Sequence, residues 1–440
     1  MAIDDSAKLS SFRVAPWIGQ SAFVVFLLLI FVSLTPFQVR DPSQLALGES
    51  GFSGAGDLWR QVFYLGVFAV IFIAALDKRG FGFVRAMPIT LAILLVWCVA
   101  SAGWAASPDI TVRRAGLEVI IVLSAMLSVD TLGPKRSLEL LRWVLAGVLI
   151  VNWISIPLVP QAVHLPGEID PALIGDWRGL YYHKNIAGAV CAVSALVFLF
   201  FAVEKKSRLD WLLFIGAVGF TVMTKSKSSM GFLPIAIFAA VVFRAVSGRG
   251  LDRTVVIVVA LLAVFAVIAI STIDATALAK LLEDPDELTG RTAIWQAEIA
   301  FIHDHLFLGS GFGTFADTGN ASPLHSYVGG GWVETVAHGH NAYLQMFVTI
   351  GGVGFVLAMI AFVIQPALAF ARGAPAQSWF KPLLFAIFVF TLLHNILESD
   401  FLEGDGPAWV AFLIMIAMLR RLSRDEAEIS KSPVETWLAQ

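Results

Sequence analysis

The stretch IAGAVCAVSALVFLFFAV at residues 186–203 decides the class of fold, because it holds no charged side chain over its whole length. An α-helix needs roughly 20 consecutive apolar residues to cross the hydrocarbon core of a bilayer. Similar runs recur along the chain, in which 58% of the residues are hydrophobic and only 14% are charged. A soluble chain of 440 residues needs far more polar surface. The sequence therefore predicts an all-α, polytopic membrane protein.

Twelve apolar runs are predicted to be transmembrane helices, and we see no internal repeat among them. The runs are residues 17–37, 60–76, 87–105, 115–130, 140–159, 186–203, 210–224, 231–247, 254–272, 341–366, 382–396 and 407–420. The N-terminal stretch MAIDDSAKLSSFR is polar and mixed in charge, so it does not resemble a cleavable signal peptide. The first run is therefore expected to remain as a span.

Basic residues set the predicted orientation, because Lys and Arg concentrate on the cytoplasmic side of a bilayer. If the N-terminus is cytoplasmic, the predicted cytoplasmic segments hold 20 of the 30 Lys and Arg. These are Lys8, Arg13, Lys78, Arg79, Arg85, Lys135, Arg136, Arg142, Lys205, Lys206, Arg208, Arg244, Arg249, Arg253, Arg372, Lys381, Arg420, Arg421, Arg424 and Lys431. One span more or fewer would invert half of the loops and destroy this bias.

We therefore predict a multi-pass protein of the bacterial inner (plasma) membrane with both termini in the cytoplasm. The predicted divisions are a cytoplasmic tail (1–16), nine spans (17–272), a large periplasmic loop (273–340), three further spans (341–420) and a second cytoplasmic tail (421–440). All eight histidines then lie outside or at the outer membrane surface: His164, His183, His303, His305, His325, His338, His340 and His394. Histidine is tolerated in the loops of any protein, but it exchanges protons near neutral pH. At least one of these histidines is therefore expected to take part in a chemical step.

The remaining composition argues against several other classes. Cys98 and Cys191 both lie inside apolar runs, which favours two buried small side chains over a disulfide or a thiolate metal site. The net charge of −3 gives no indication of a nucleic-acid partner.

Two predicted external segments hold clustered cations. The segment 160–185 ends in DWRGLYYHKN, in which the aromatic residues fit an interfacial belt, whereas His183-Lys184-Asn185 goes beyond it. The turn at 224–229 carries Lys225 and Lys227 among serines. These two lysines lie on the predicted outer side, whereas most Lys and Arg lie on the predicted cytoplasmic side. Lysines with hydroxyl groups make a plausible phosphate cradle, and the alternative is an ordinary polar turn.

The large predicted loop opens with Thr289-Gly290-Arg291, where Thr289 is a suitable helix N-cap. Trp295, Ile299 and Ile302 follow at spacings of four and three, which predicts one apolar helical face. An arginine in the first helical turn opposes the helix dipole, so a bound anion is the simplest compensation. The run GSGFG at 309–313 is interpreted as a flexible turn, since no strand precedes it.

The loop ends in His338-Gly339-His340-Asn341, directly before a predicted span. A metal pair is one alternative, although Glu334 is the only close carboxylate, and use of one histidine as a general base is the other. The last predicted external loop is acidic and could orient a histidine, position a sugar hydroxyl or form a solvated rim. Its polar residues are His394, Asn395, Glu398, Asp400, Glu403 and Asp405.

These residues together resemble the O-antigen ligase and polysaccharide polymerase superfamily of bacterial membrane glycosyltransferases, over roughly residues 170–365. Ligases of that family carry His, then Asn, Ser or Gln, nine residues, and Gly-x-x-Gly/Thr/Tyr. His340 and Asn341, followed by Gly351 and Gly354, match this pattern. The Thr-Gly-Arg opening with Trp295 and the glycine turn is similar to the large-loop signature of the family.

Two further features indicate which branch of the superfamily the chain resembles. His183-Lys184-Asn185 before a span resembles members that make exopolysaccharide. Many ligases have an arginine in the turn where this chain has Lys225 and Lys227, and lysine keeps the charge but loses the bidentate fork. Both features favour the polymerase branch, although the His340 motif is known from ligases.

The resemblance implies a glycan donor on undecaprenyl diphosphate, within the membrane lipid, and polymerisation of its repeat units into exopolysaccharide on the periplasmic side. His340 would accept the proton of the attacking sugar hydroxyl, directly inverting the anomeric centre. No cofactor or metal is expected, because cations would stabilise the leaving diphosphate. The implied diphosphate-binding residues are Arg291, Lys227, Lys225, Arg178 and Lys184, and the supporting ones are His183, Asn185, Asn341 and His338.

Two other functions stay open. One is a ligase that moves a finished glycan onto lipid A core or another acceptor. The other is a polysaccharide-related transporter, which the near absence of charge in the middle of the spans disfavours. A chain-length regulator or export proteins are possible partners of the polymerase, and no nucleic-acid partner is expected.

Overall fold

The computed structural model describes residues 15–39, 58–168, 171–247, 291–316, 318, 322–328, 339–372 and 378–438. Within these ranges the chain forms α-helices joined by short turns, with no β-strand element. The helices are α1 (Pro16–Phe31), α2 (Leu58–Arg79), α3 (Ile89–Ala100), α4 (Pro108–Leu132), α5 (Pro134–Leu158), α6 (Lys184–Glu204), α7 (Arg208–Met223), α8 (Lys227–Val246), α9 (Arg291–Asp304), α10 (Ala342–Met359), α11 (Gln365–Arg372), α12 (Phe380–His394) and α13 (Pro407–Leu438).

Six helical stretches are long and apolar enough to cross a membrane, and three shorter apolar helices accompany them among the described residues. The long stretches are Leu58–Ala86, Pro108–Leu132, Pro134–Leu158, Lys184–Glu204, Lys227–Val246 and Ala342–Ala371, and the shorter ones are Pro16–Phe31, Ile89–Gly103 and Phe380–His394. The predicted all-α, polytopic membrane fold is confirmed. Eleven of the twelve predicted runs overlap a helix, and the run 254–272 lies outside the described residues. The total of twelve spans stays a prediction.

Two helix boundaries differ from the sequence prediction for physical reasons. The run predicted at 115–130 begins at Pro108, because a proline fits the first turn of a helix and Asp109 there complements the helix dipole. The run predicted at 407–420 continues to Leu438 as one helix. Hydropathy shows only where the apolar part of a helix ends. The backbone hydrogen bonds of this helix continue beyond that point, so the helix is longer than its apolar run.

Helix α6 is the most enclosed of the six long stretches, with 78% of its most apolar window buried. Ala187, Gly188, Ala192 and Ala195 line it with small side chains and allow the neighbouring helices to approach closely. A side chain at Gly188 would come within 2.7 Å of Ser226 Cβ, at the start of α8. This close packing brings the N-termini of α6 and α8 together at one end of the bundle.

The two ends of the bundle differ in their charged contacts. At one end the buried Asp130 carboxylate lies 3.1 Å from Arg79, 3.2 Å from Arg421 and 2.9 Å from Arg424. Arg142 pairs with Asp210 at the same end. These cations all belong to segments predicted to be cytoplasmic. The opposite end holds most of the described histidines, and we call it the histidine end.

Helix α10 is broken at Gly351, whose φ of 67° is non-helical. The turn after α9 replaces the missing helical hydrogen bonds: Gly352 N donates to Leu306 O at 2.8 Å, and Ser310 N donates to Val348 O at 2.8 Å. A Cβ atom at Gly351 would lie 2.2 Å from Phe307 O. Gly351 of the sequence motif and its neighbour Gly352 therefore form a docking site for the turn after α9.

The predicted flexible turn at 309–313 is instead tightly packed. Gly309 has a φ of 68°, and a Cβ atom there would lie 2.6 Å from Gly351 N. A Cβ atom at Gly311 would lie 2.3 Å from Ala105 Cβ. Glycine supplies close backbone approach at this turn rather than mobility.

Replacing Gly351 with Ala should destabilise the protein, because the positive φ strains any L-residue and the methyl group would collide with Phe307 O. Such strain alone costs about 1–3 kcal/mol. We expect the thermal unfolding midpoint in detergent to fall by several degrees. The matched control is Gly147→Ala in α5, where nothing lies within 4 Å of the added carbon and helix propensity improves. Equal midpoints for the two variants would contradict this account.

Candidate functional site

His340 is presented at the N-terminus of α10 by a tight turn. Its φ of 51° lies in the left-handed region, which few non-glycine residues adopt. Asn341 then caps the helix, since its Oδ1 accepts hydrogen bonds from the amides of Tyr343 at 3.0 Å and Leu344 at 3.1 Å. The side chain of His340 is 24% exposed, so it is both positioned and accessible.

Glu398, in the connection between α12 and α13, is the carboxylate that contacts His340. Its Oε2 lies 3.3 Å from His340 Nδ1, and its Oε1 accepts a hydrogen bond of 2.7 Å from Asn185 Nδ2. Ser228 Oγ lies 3.5 Å from the same Oε1. The Glu398 side chain is only 8% exposed, so these contacts fix its orientation. The contact with Nδ1 favours the tautomer in which Nε2 carries the lone pair.

A second histidine lies behind this pair. His394 is 1% exposed, and its Nδ1 lies 2.7 Å from Asp400 Oδ2. If Nδ1 carries the proton, Nε2 accepts from the hydroxyl of Ser229, 3.2 Å away, and Ser229 accepts in turn from Ser226 at 3.0 Å. This chain of hydrogen bonds ties the start of α8 to the loop that carries Glu398. Burial makes His394 a structural residue of the site.

These side chains border a cavity of about 110 Å³ at the histidine end. The cavity is lined by Tyr182, His183, Asn185, Ile186, His340, His394, Glu398, Ser399, Asp400 and Glu403. The predicted residues His183, Asn185 and His340 therefore come together in space. Glu398 and His394 belong to the acidic cluster noted in the sequence, but their roles depend on a contact between residues that are far apart in the chain.

Two of the predicted cations share one carboxylate. Lys184 Nζ lies 2.6 Å from Asp176 Oδ2, and Lys225 Nζ lies 2.7 Å from Asp176 Oδ1. Burial opposes ionisation of Asp176, but the two lysines outweigh it and lower the pKa of the carboxyl. Lys227, the first residue of α8, is exposed and has no carboxylate partner among the described residues. Lys227 is thus the most available of the three lysines for an incoming anion.

The position of Arg178 disagrees with the prediction that this residue binds the diphosphate. Its side chain is 1% exposed and forms a bidentate pair with Glu168, at 2.9 and 3.0 Å. Its Nε also donates to Gln161 O at 2.7 Å. A guanidinium committed in this way holds the folded segment 160–183 together and has no free face for a phosphate.

His164 belongs to the same buried group. Its Nδ1 lies 2.7 Å from Glu168 Oε2, and its Nε2 accepts from the amide of Lys184 at 3.3 Å. Burial lowers the pKa of His164 despite the hydrogen bond to Glu168, so the ring is neutral near pH 7. His164 therefore positions the start of α6.

Helix α9 packs against the turn of His340. Trp295 Nε1 donates a hydrogen bond of 2.7 Å to Gly339 O. Of the predicted apolar face, Trp295 is partly buried and Ile302 packs against the buried cluster, but Ile299 is 57% exposed. The buried face is formed by Ile294, Ala297 and Phe301. Phe301 stacks on His305 and contacts Phe315.

Two predicted site residues, Arg291 and His338, are described in part or not at all. Arg291 begins α9, as the helix-start prediction requires, but its side chain lies outside the described residues. His338 and the Thr289-Gly290 pair also lie outside them. Because α9 contacts Gly339, the helix that begins at Arg291 and the turn of His340 belong to one packed unit.

Glu298, on α9, is a site feature that no sequence pattern indicated. Its side chain is fully buried, neither carboxyl oxygen has a hydrogen-bond partner among the described residues, and a Cβ atom at Gly339 would lie 2.1 Å from Oε1. Burial raises the pKa of Glu298 to about 8. The carboxyl is therefore neutral at pH 7 and packs directly beneath the turn that carries His340.

The raised pKa of Glu298 predicts a pH-dependent stability. The unfolded chain loses this proton near pH 4.5, whereas the folded protein keeps it up to about pH 8, so the folded state loses stability as pH rises between these values. Relative to Glu298→Gln, the wild-type unfolding midpoint in detergent should fall progressively from pH 5 to pH 8. Glu139→Gln, at an exposed position, is the control. A wild-type-minus-variant difference that does not change with pH would refute the buried neutral carboxyl.

The fold and the site define a polytopic membrane protein with a histidine–carboxylate pair at one end of its helix bundle. A family model described as O-antigen ligase matches residues 194–359, which include both the Lys225–Ser229 turn and the His340 turn. The match confirms the resemblance to the O-antigen ligase and polysaccharide polymerase superfamily. No curated protein matches the chain. The family is enzymatic and implies a lipid-linked oligosaccharide substrate in the membrane.

Metal ligation is not visible in the part of the chain that the structure describes. Within it, no group of three or more His, Cys, Asp or Glu side chains is arranged to hold a metal ion. Metal independence stays a prediction from the sequence.

Proposed function

We propose that the protein is a membrane glycosyltransferase that polymerises lipid-diphosphate-linked oligosaccharide repeat units into an exopolysaccharide, with His340 as the general base. The observation that carries the proposal is the 3.3 Å contact between His340 Nδ1 and a buried carboxylate, beside a cavity. The family match supports the class of reaction, and the joint placement of His183, Asn185 and the lysine turn supports the polymerase branch.

The proposed step begins with a sugar hydroxyl of the acceptor. His340 Nε2 takes the hydroxyl proton while the oxygen attacks the anomeric carbon of the donor. The bond between that carbon and the diphosphate oxygen breaks, and the lipid diphosphate leaves with the electron pair. One displacement inverts the anomeric centre. Glu398 stabilises the imidazolium that forms, because it contacts His340 Nδ1 and is held in place by Asn185.

The leaving diphosphate needs positive charge, for which Lys227 and Arg291 are the proposed ligands. Lys227 directly precedes Ser228 and Ser229, which contact Glu398 and His394, so it lies at the edge of the site. Asp176 partly neutralises Lys184 and Lys225, so these two lysines add less positive potential at the site. Preorganised cations of this kind commonly lower a barrier by a few kcal/mol.

The proposed membrane orientation places the histidine end in the periplasm and both termini in the cytoplasm of a bacterial inner membrane. The arginine cluster around Asp130 at the opposite end supports it, because basic residues concentrate on the cytoplasmic side. An activated glycan then reaches the site only on a lipid carrier, since no nucleotide-sugar pool exists outside.

Replacing His340 with Ala should abolish polymer formation while protein levels stay unchanged, since a positioned base contributes roughly 10²- to 10⁴-fold. Glu398→Gln should retain the shape of the site and lower turnover at least tenfold. Product from purified protein and lipid-linked donor would be measured on gels. His303→Ala, at a highly exposed position on α9, is the control and should be active. Wild-type-like product from His340→Ala would remove the proposed base.

Substitutions of Lys227 and Arg291 should lower turnover, whereas substitution of a lysine away from the site should not. Lys227→Gln and Arg291→Lys should each reduce turnover severely, the second because lysine lacks the bidentate fork. Lys206→Gln, in the loop before α7 at the other end of the bundle, should have no effect. Near-normal turnover of Arg291→Lys would show that no bidentate clamp is needed, and near-normal turnover of Lys227→Gln would remove that residue from the site.

Reconstitution in liposomes with a lipid-diphosphate oligosaccharide distinguishes the three candidate activities. Extension of the lipid-linked chain supports the polymerase proposed here. Transfer of the glycan to lipid A core or another added acceptor would make the protein a ligase. Movement of the donor or product across the bilayer without any new glycosidic bond would make it a transporter and would refute the glycosyltransferase.

A further inference from the structure

A second, larger cleft lies at the arginine end of the bundle, away from the proposed site. It has a volume of about 720 Å³ and opens between α10–α11 on one side and α13 on the other. Pro88, at the start of α3, lies at its edge. Nothing in the proposed glycosyl transfer uses this cleft.

The cleft exists because α10 and α11 are not one regular helix. Residues Ile360–Ile364 form a π-helical turn, and Pro366 follows in the first turn of α11. The Thr90 hydroxyl donates to Gln365 Oε1 at 2.7 Å, which holds the bent segment against α3. Single π-helical turns inside long helices frequently occur at functional sites.

The walls of the cleft divide into an apolar and a basic part. Ala361, Leu368, Ala369, Ile416 and Leu419 form the apolar part, and Leu368 is 42% exposed. Arg420, Ser423 and Arg424 follow on α13, one helical turn further along. An acyl chain fits the first part, and a phosphate group fits the second.

The positive charge beside the cleft exceeds the available carboxylates. Arg420 donates only to neutral backbone oxygens among its described contacts, those of Arg85 at 3.0 and 3.2 Å and Met87 at 3.1 Å. Arg424 shares the carboxylate of Asp130 with Arg79 and Arg421, and Arg421 also pairs with Asp425 at 3.1 Å, so three arginines share two carboxylates. The acidic residue lining the cleft, Glu426, is paired with Lys381 at 2.6 Å.

We propose that this cleft is a binding site for one anionic phospholipid, with the phosphate against Arg420 and Arg424 and an acyl chain along the apolar wall. The occupant is a membrane lipid because the cleft lies between helices of a membrane bundle, where acyl chains are the surrounding solvent. Charge complementarity selects an anionic headgroup, since basic pockets between transmembrane helices bind such lipids. The proposal does not depend on the glycosyl transfer.

The test counts lipids bound to the purified, detergent-solubilised full chain by native mass spectrometry, with either phosphatidylglycerol or phosphatidylcholine added. Wild type should bind one phosphatidylglycerol at least tenfold more tightly than phosphatidylcholine. Arg420→Gln should weaken this preference, and it should fold because the ion pairs of Asp130 remain intact. The double variant with Arg424→Gln should lose it completely.

Arg136→Gln is the matched control, since Arg136 lies at the same end, contacts Gln20 and Glu139 and does not line the cleft. It should keep the wild-type preference. Equal binding of the two lipids by wild type would overturn the proposal. So would an unchanged preference in Arg420→Gln, or a loss in Arg136→Gln as large as that in Arg420→Gln.

Discussion

The carboxylate of Glu398 is the contact on which the histidine end depends. It joins four separate elements: its own loop, the turn of His340, Asn185 at the start of α6, and Ser228 at the start of α8. Its backbone carbonyl also accepts the amide of Ala342, the first residue of α10. A buried carboxylate is costly unless it is hydrogen-bonded, so these elements are held in one arrangement. The same arrangement orients the proposed base.

The loop around Glu398 is itself ordered by polar side chains. Asn395 Oδ1 accepts from the amides of Asp400 and Phe401, both at 2.9 Å, while His394 and Asp400 join it to α8 through Ser229. Buried polar groups find few water molecules to replace a lost partner. These hydrogen bonds therefore hold the loop in one conformation, as the proposed role of the site in positioning a proton acceptor requires.

The segment after α9 and the membrane helices are coupled through Gly351. Gly351 breaks α10 within the bundle, and the backbone of Leu306 and Ser310 supplies the hydrogen bonds that the break removes. An open helix break in lipid would leave polar groups unsatisfied, so it persists only where protein covers it. Gly351 thus explains how α9, which begins at Arg291, is kept against the turn of His340. The proposed diphosphate ligand Arg291 and the proposed base His340 therefore belong to one packed unit.

Sequence alone predicted the fold class and part of the candidate site. Apolar runs are local properties of the chain, and their transfer into lipid is favourable whatever their neighbours, so eleven of the twelve predicted runs overlap a helix. His340, Asn341 and the lysine turn were predicted as site residues because their signal is also local. Local signals could not predict three features of the structure. These are the burial of Arg178 against Glu168, the exposure of Lys227 and the buried face of α9.

What the sequence determined by itself is the membrane-spanning, all-helical character of the chain and the family resemblance around its histidine motif. The tertiary structure decided which cations are committed, which carboxylate meets His340, and which buried acid lies beneath it. The reason is that Glu398 and His340 are 58 positions apart, and Asn185 and Glu398 are 213 apart. Charges are paired by distance in space, and that distance exists only once the helices have packed.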